Sequence, residues 1–302
     1  MTEPTSIQHR CAVIGHPALH SLSPALHTAA YEQLGLHGWQ YEAIDVAPGH
    51  LDEFLAGLDG SWAGLSVTMP FKSGIIAHGE PEPLVTALNA ANTIIFGEPN
   101  RCYNTDVPGM VDALAHRGLT SAGSAVLLGA GATARSALAA LSRIGVEHVE
   151  VVARSAGRAH ASLDEVASHY GIGLSLTDWE ELAGLGADRA DLLLSSVPVD
   201  FSGEEAERIV RAAPAVFDIV YLRYPSALSE AAVSSGRVSV DGVDLLVFQG
   251  IEQVRLMTGR TPSQEPLLAA CAAEVARRAR TGAGPGSGVV SAGPRDMRAP
   301  AL

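Results

Sequence analysis

The sequence is poor in cysteine and in aromatic residues. Only three of its 302 residues are cysteine, Cys11, Cys102 and Cys271, and aromatic side chains make up 5%. Three scattered thiols are too few for a disulfide framework and lack the spacing of a zinc site. Residues 1–10 are polar and lack the apolar core of a secretion signal. We therefore expect reduced, packed cysteines, no metal site and a cytoplasmic protein.

Long apolar runs and an excess of positive charge are missing as well. No apolar stretch approaches the ~20 residues of a membrane-spanning helix. The formal net charge is −13, which argues against nonspecific nucleic-acid binding, because that needs a basic face. Local arginines and backbone amides can still hold a small anion. We expect a small-molecule ligand, no nucleic-acid or membrane partner, and a monomer or homodimer.

Lysine is almost absent. Lys72 is the only one, and the other 19 of the 20 Lys and Arg residues are arginine. An ammonium can lose its proton in suitable surroundings, whereas a guanidinium in a protein practically cannot. Lys72 follows a β-like run and a proline turn at 64–70, so it is a candidate for proton transfer. The alternative is one leftover surface lysine in an arginine-biased chain.

The pattern of apolar residues predicts an α/β protein. With 47% hydrophobic and 18% charged residues, the chain can bury real cores, and its length suits two domains. Short apolar strands alternate with amphipathic helices, as in α/β layer structures. A second unit begins near Val107, and its strands follow the β-α-β order of a dinucleotide-binding sheet.

A glycine-rich turn follows the predicted strand at 125–128. Its sequence is Gly129-Ala130-Gly131-Ala132-Thr133-Ala134, the Gly-x-Gly-x-x-Gly/Ala pattern. The first glycine makes a tight turn, the second lets the backbone approach a pyrophosphate, and the small third residue lets helix pack on strand. Alone the pattern is weak in an alanine-rich chain. Its place between a strand and an amphipathic helix predicts a dinucleotide site.

The end of the next predicted strand, at 149–152, indicates which dinucleotide binds. An NAD site places Asp or Glu there for the ribose hydroxyls. This chain has no acid there, but two arginines, Arg154 and Arg158, which flank Ser155. A guanidinium can clamp a 2′-phosphate and stack on adenine, so the sequence favours NADP. The alternative is that both arginines are merely solvated at a helix start.

Five motifs together resemble one enzyme family. They are His20-Ser21-Leu22-Ser23-Pro24, Val67-Thr68-Met69-Pro70-Phe71-Lys72, Ala91-Asn92-Thr93, Asn104-Thr105-Asp106-Val107-Pro108-Gly109 and Gly242-Val243-Asp244-Leu245-Leu246-Val247-Phe248-Gln249. In this order and spacing, over roughly residues 11–280, the chain resembles the shikimate dehydrogenases, NADP-linked enzymes of the aromatic amino-acid pathway.

The resemblance implies roles for particular residues. It implies that Lys72 and Asp106 form the catalytic pair and that Tyr221 and Gly242 contact the cofactor. Residues implied to bind a polyhydroxy-acid substrate are Ser21, Ser23, Thr68, Asn92 and Gln249. The chemistry agrees, because oxidising a secondary alcohol by hydride transfer releases a proton that an acid/base must take. Hydroxyl and amide groups suit a ring with several hydroxyls, since unpaired polar groups are costly.

Structural interpretations stand beside these roles. Ser23 before Pro24 fits a helix N-cap, Asn92 can brace a turn, and Asp106 can cap the following helix. Gln249 can be a surface helix residue and Tyr221 a packed strand residue.

Several positions depart from the family pattern, among them Asn89 for a glycine, Ser195-Ser196-Val197-Pro198 for Asn-Ala-Thr-Pro, and Arg223 for a proline after Tyr221. Ser66 stands where the family usually has asparagine, which alters one substrate hydrogen bond. Ala153 replaces an asparagine before Arg154, and Asp244 replaces a glycine near the nicotinamide. These departures bear on substrate and cofactor preference and leave the catalytic pair intact.

The sequence thus predicts two α/β domains. Residues 1–106, completed by helices at 245–281, form the substrate-binding and catalytic domain. Residues 107–244 form a Rossmann-type, doubly wound NADP-binding domain, and 282–302, rich in Gly, Pro, Ser and Ala, form a disordered tail. The expected reaction is the reversible NADPH-dependent reduction of 3-dehydroshikimate to shikimate.

Three alternatives stay open. The first is a relative that prefers quinate, or uses both substrates, with NAD or mixed cofactor use. The second is a non-catalytic NADP- or metabolite-binding regulator that kept the fold. The third is a folate-linked dehydrogenase, although serine- and threonine-rich substrate positions fit a polyol better than a pterin.

Overall fold

The computed structural model describes residues 7–221 and 224–281, and the tail predicted at 282–302 lies outside the described residues. The first half builds one six-stranded sheet in the order β2-β1-β3-β5-β6-β4. Its strands are β1 His9–Gly15, β2 Trp39–Asp45, β3 Trp62–Val67, β4 Glu80–Pro81, β5 Thr93–Ile95 and β6 Arg101–Tyr103. Its helices are α1 Ser23–Gln33, α2 Leu51–Ala56, α3 Pro83–Leu88 and α4 Asp106–His116. Strand β3 is parallel to β1 and antiparallel to β5.

The second sheet is wholly parallel. Its strands are β7 Ser124–Leu128, β8 His148–Ala153, β9 Gly173–Asp178, β10 Leu192–Ser195, β11 Ala215–Asp218 and β12 Val238–Asp241. The helices between them are α5 Ala132–Arg143, α6 Ala156–Tyr170, α7 Gly203–Ile209 and α8 Ala227–Ser234. The order β9-β8-β7-β10-β11-β12 reverses direction between β7 and β10, where doubly wound sheets bind their ligands. This confirms the predicted Rossmann-type fold.

The chain then returns to the first sheet through α9 Gly242–Thr258 and α10 Gln264–Thr281. Helix α9 packs against α4 and touches β3 and β5, and α10 packs against α1. The crossing of α4 and α9 is close: a Cβ on Gly109 would lie 2.7 Å from the backbone nitrogen of Gln249. Both connections between the sheets therefore run through packed helices.

Alternating side chains give the second sheet a core on each face. In β7, Leu127 belongs to one apolar cluster, whereas Val126 and Leu128 belong to the other. This alternation is the period of a strand that is buried on both faces. The described residues include no helix with the length and apolar composition needed to cross a membrane.

Two local predictions are wrong. Helix α1 begins at Ser23 itself, and no side chain caps it, so Ser23 is not an N-cap. The helix expected from 245 begins at Gly242, because the Asp241 carboxylate accepts hydrogen bonds from the backbone nitrogens of Val243 at 2.8 Å and Asp244 at 3.0 Å. The boundary expected at 244 therefore falls inside a helix.

Candidate active site

The lone lysine lies beside the predicted aspartate. Lys72 follows β3 through a turn with a cis Met69–Pro70 bond, and its backbone carbonyl accepts from the Ala91 nitrogen at 2.7 Å. Its Nζ is 2.6 Å from Oδ2 of Asp106, and the two side chains are 12% and 8% exposed. Asp106 is the first residue of α4, and the helix has no side-chain cap, so the carboxylate is not used as one. The surface-lysine interpretation is wrong, because this amine is largely buried and paired.

An amide network holds that aspartate. Asn92 Nδ2 donates to Asp106 Oδ1 at 2.8 Å and to Thr105 Oγ1 at 2.8 Å. The Asn92 carbonyl accepts from the Thr105 backbone nitrogen at 2.8 Å, which fixes the amide against the start of α4. Gln249, buried on α9, accepts from Thr105 Oγ1 at 3.2 Å and donates to the Leu246 carbonyl at 3.0 Å. One N–H of Gln249 stays free to donate, and the surface-helix interpretation is wrong.

The two predicted serines lie together before α1. Ser21 Oγ donates to Ser23 Oγ at 3.0 Å and accepts from the Ser23 backbone nitrogen at 3.1 Å, and both residues are buried. Tyr221, from the loop after β11, packs in the same apolar cluster as Leu22. Burial raises the pKa of Tyr221, and hydrogen bonds to Ser21 and to the Leu22 backbone oppose that rise. Tyr221 thus brings the loop after β11 of the second sheet against the segment that carries the two serines.

Thr68 occupies the turn that leads to Lys72. Its backbone nitrogen donates to the Ile14 carbonyl at 2.9 Å, and its methyl group fills the space in which a Cβ on Gly15 would lie. The residue is half-buried, so its hydroxyl is available at the end of β3.

Sequence reasoning missed a second polar network next to the first. Tyr41 donates to Ser66 Oγ at 2.6 Å, and Ser66 donates to Gln253 Oε1 at 2.8 Å. Gln253 Nε2 in turn donates to Thr93 Oγ1 at 3.0 Å, and the Thr93 hydroxyl donates to Asn92 Oδ1 at 3.1 Å. A carboxamide from α9 therefore lies against Ser66, the position where the family pattern has asparagine. Gln253 is four residues after Gln249, a spacing that puts both amides on one helix face and could have revealed it.

A buried histidine completes this network. His27 is fully buried, stacks on Tyr41 with ring centroids 3.8 Å apart, and its Nε2 is 3.4 Å from Gln253 Oε1. Burial lowers the pKa of His27 to about 3, so the ring is neutral at pH 7.

A cavity of about 390 Å³ opens at the switch point of the second sheet. Of the predicted cofactor residues, Gly129, Ala130, Arg154, Ser155 and Arg158 line it. The Arg154 guanidinium lies 5.4 Å from the ring centroid of Trp179, an aromatic wall that local sequence did not indicate. Ser155 also caps α6, accepting from the Arg158 backbone nitrogen at 3.4 Å.

The glycine-rich turn has the geometry that the motif requires. Gly129 has φ +100°, and a Cβ there would lie 2.7 Å from Ser196 Oγ, so only glycine fits. Among the residues that the structure describes, nothing lies within 4 Å of the Cβ position of Gly131, which leaves its backbone open to an approaching group. Ala134 is fully buried between helix and sheet. Gly131, Ala132 and Thr133 form the start of α5 beside the cavity, without lining it.

Two other predicted cofactor residues, Tyr221 and Gly242, also lie outside the cavity lining. Gly242 opens α9, where a Cβ would approach the Ile219 carbonyl oxygen to 2.6 Å. Close packing thus gives a structural reason for glycine at this position. Asp244, two residues further, is paired with Arg117 at 2.9 Å through both carboxylate oxygens.

Fold and site together define a class of protein: an α/β enzyme with a dinucleotide-type sheet joined to a second sheet that carries a buried lysine–aspartate pair. Residues 13–94 match the family model described as the shikimate dehydrogenase substrate binding domain.

Similarity to whole proteins extends further. Over 260 residues the chain is 38% identical to a shikimate dehydrogenase (NADP(+)) of Natronomonas pharaonis, covering 84% of this chain and 95% of the relative. The crystal structure of Mycobacterium tuberculosis shikimate dehydrogenase matches with TM-score 0.78 and 32% identity, covering 88% of this chain and 99% of that one. The Thermus thermophilus enzyme, solved with NADP(H) and shikimate, matches with TM-score 0.74 and 30% identity, covering 88% and 99%. The chain belongs to the shikimate dehydrogenase family, which confirms the resemblance of the motifs.

Proposed function

We propose that this protein is an NADP-dependent shikimate dehydrogenase that interconverts 3-dehydroshikimate and shikimate. The observation that carries the proposal is the 2.6 Å contact between Lys72 Nζ and Asp106, buried in a chain whose relatives are named for this activity. In this proposal the first sheet with α9 and α10 is the substrate domain, and the second sheet is the cofactor domain.

The residues around the 390 Å³ cavity fit NADP. Gly129 makes a turn that a side chain would block, and the N-terminus of α5 follows it, which suits a pyrophosphate. No acid ends β8; instead Arg154, Ser155 and Arg158 would hold the 2′-phosphate and the adenosine. When bound, the nicotinamide supplies the hydride chemistry, accepting hydride from the alcohol carbon or returning it. Tyr221 and Gly242 belong to its nicotinamide end in this proposal.

Lys72 is the acid/base of the reaction in this proposal. Its ammonium has three donors, and Asp106 uses one of them, so two can face a substrate oxygen. In the oxidative direction the amine takes the proton that the hydroxyl releases, and in the reductive direction the ammonium returns it. Asp106 orients the amine and compensates its charge when it is protonated.

The surrounding polar side chains would bind the substrate. In this proposal the binding groups are the hydroxyl or amide groups of Ser21, Ser23, Thr68 and Gln249. Asn92 already donates to Asp106 and Thr105, so we assign it first to orienting the carboxylate, and to a substrate contact second. A site built for hydroxyls rejects analogues that lack them, because its own polar groups would stay unpaired.

A rate matrix tests the proposal. Purified protein is assayed with shikimate and with quinate, each with NADP⁺ and with NAD⁺. We expect the shikimate/NADP⁺ combination to dominate kcat/KM. Dominant turnover of quinate with NAD⁺ would replace the substrate and cofactor assignments. No turnover of any cyclic polyol would favour the regulator instead.

We also propose that the protein is cytoplasmic and is a monomer or a homodimer. Its three cysteines are buried as free thiols, and burial raises the pKa of Cys11 and Cys102 to about 11 and that of Cys271 to about 12, which suits packing residues. Sedimentation equilibrium measures the oligomeric state, and any larger assembly would contradict that part.

A further inference from the structure

The last helix reaches back to the loop that carries the two serines. Arg278, on α10, donates through Nη1 to the His20 carbonyl and through Nη2 to the Ser21 carbonyl at 3.0 Å. Its Nε donates to Glu274 Oε1 at 2.7 Å, and the side chain is only 25% exposed. One guanidinium thus joins two consecutive carbonyls of the loop to a carboxylate on its own helix.

This geometry fixes the loop where its hydroxyls matter. The Ser21 backbone nitrogen donates to the Ala18 carbonyl at 2.9 Å, so the peptide groups on both sides of Ser21 are held. With its backbone fixed, Ser21 Oγ keeps its contacts to the hydroxyl and the backbone nitrogen of Ser23. A planar guanidinium holds several acceptors in a rigid fork, which a single ammonium cannot do.

Arg278 shares its carboxylate partner with the neighbouring arginine. Glu274 accepts from both Arg277 and Arg278, and these contacts lower its pKa to about 2, so one carboxylate serves two guanidiniums. The two guanidiniums exceed this carboxylate by one positive charge, while the Asp45 carboxylate accepts from the Ala18 backbone nitrogen of the same loop at 2.8 Å. Burial, and then the Arg278 charge, lower the pKa of His20, and the Asp45 charge opposes that change.

We propose that Arg278 is a positioning residue for substrate binding, acting through the His20 and Ser21 carbonyls on the Ser21–Ser23 hydroxyl pair. The inference rests on the proposed function, because it takes that serine pair as part of the substrate site. The proposal predicts a loss that is confined to substrate binding. Losing Arg278 weakens the binding of shikimate, while the Lys72–Asp106 pair and the cofactor cavity keep their own contacts.

Arg277 provides a matched control. It lies next to Arg278 on the same helix and binds the same carboxylate, with Nε 2.7 Å from Glu274 Oε2, while its side chain points to solvent, 55% exposed. Removing either arginine deletes one positive charge near Glu274. Of the two, Arg278 makes the contacts to the His20 and Ser21 carbonyls.

The experiment compares Arg278→Ala, Arg278→Lys and Arg277→Ala in the full chain. We expect Arg278→Ala to raise the KM for shikimate on the order of tenfold, the loss typical of a preorganised contact, with kcat and the KM for NADP⁺ changed less than twofold. Arg277→Ala should leave all three constants near wild type, and Arg278→Lys should lie between. Equal shikimate KM in Arg278→Ala and wild type, or equal losses in kcat and in both KM values, would overturn the proposal.

Calorimetry measures the affinity for shikimate, and it distinguishes failure of the Arg278 proposal from failure of the proposed function. If wild type binds shikimate without turnover, the catalytic assignment fails while the Arg278 comparison stands on affinity alone. If Arg278→Ala does not fold, the Arg278→Lys and Arg277→Ala affinities decide, and equal affinities would refute the positioning role. If wild type neither binds nor turns over shikimate, both proposals fall.

Discussion

The two halves of the site are built in different ways. On the substrate side, side chains hold one another: Lys72, Asp106, Asn92 and Gln249 form a buried chain of direct contacts. On the cofactor side, the cavity owes its shape to a backbone turn at Gly129 and to small or apolar walls, with two arginines at one end. The substrate side is a preorganised polar network, and the cofactor side is an open cavity whose arginines can bind an anionic group.

This difference predicts different consequences of mutation. In a linked network, losing one member disturbs its neighbours, because buried polar groups left unpaired are costly. In a cavity shaped by the backbone, losing one side chain removes one ligand contact and leaves the rest in place. Substitutions within the polar network around Lys72 should therefore act on kcat, and substitutions in the cavity should act on the KM for the cofactor.

The largest effect is expected at Lys72. Lys72→Met removes the amine and should lower kcat by on the order of 10²–10⁴, the range for a lost acid/base, with a smaller change in KM. Lys72→Arg keeps a positive charge beside Asp106 but cannot release a proton, so it should lose nearly as much. Steady-state kinetics with shikimate and NADP⁺ measure both. A Lys72→Arg variant with near-normal kcat would mean that the charge, and not the proton, matters.

The absence of other lysines permits a direct check on the same residue. Trinitrobenzenesulfonate labels amines, and Lys72 is the one lysine side chain that it can label in this sequence. We expect labelling of Lys72, followed by peptide mass, to be slowed by shikimate and to abolish activity in parallel. Full activity of a protein labelled at Lys72 would contradict the assignment.

The next largest effect concerns the cofactor cavity. Arg154→Ala should raise the KM for NADP⁺ by on the order of 10- to 100-fold, the loss of a charge-assisted phosphate contact, and change that for NAD⁺ little. Arg211→Ala, an exposed arginine of the same sheet unit outside the cavity lining, serves as control. Equal weakening of NADP⁺ and NAD⁺ would remove the 2′-phosphate assignment and leave stacking on Trp179 as the role of Arg154.

A smaller effect is expected where the two regions join. Asp244 is 1% exposed and its carboxylate is held by Arg117, at the end of α4, which is 42% exposed. Burial, and then the Asp244 charge, raise the pKa of Asp241 next to it, so the two carboxylates crowd each other. Arg117→Ala should cost about 2 kcal/mol of unfolding free energy, less than for a fully buried pair because Arg117 is partly solvated.

A double-mutant cycle checks that cost. Adding Asp244→Asn to Arg117→Ala removes the unpaired charge and should restore part of the stability measured by urea unfolding. If the losses of unfolding free energy from the two substitutions are additive, the Arg117–Asp244 pair does not stabilise the protein.

The features that could be predicted from the sequence are those that a short stretch of residues encodes. Gly129 between a buried strand and a helix, the arginines after β8 and the lone lysine were all recognisable in short windows. The predicted start of α9 is too late, because its cap, Asp241, is the last residue of an edge strand that has no continuous apolar run. A half-exposed edge strand gives a weak pattern, so the start of the helix after it was hidden.

The members of the site that were missed reach it through tertiary packing. Ser66 and Gln253 are 187 positions apart and meet only because α9 returns to the first sheet. Trp179 reaches Arg154 from the end of β9, another edge strand. The four-residue spacing from Gln249 indicates which helix face carries Gln253, but local spacing encodes neither its contact with Ser66 nor the contact of Trp179 with Arg154. Asp244 likewise looked like a departure near the cofactor until the fold placed it against Arg117.

The smallest expected effect is a pH dependence of the unfolding free energy that comes from His27 in the polar network. Burial lowers the pKa of His27 to about 3, whereas the unfolded chain protonates it near 6.5, so between these values the unfolded state binds more protons. Stability from this group is therefore complete above pH 6.5 and is lost as the pH falls toward 3.

His27→Phe keeps a ring against Tyr41 and removes the titration. Between pH 7 and 5.5, wild type should lose about 1 kcal/mol more unfolding free energy than His27→Phe. Urea unfolding at both pH values measures this, with His37→Phe, an exposed position, as control. Equal pH dependence in wild type and His27→Phe would mean that the ring titrates in the folded state as it does in the unfolded chain, and that the network beside the catalytic pair is open to water.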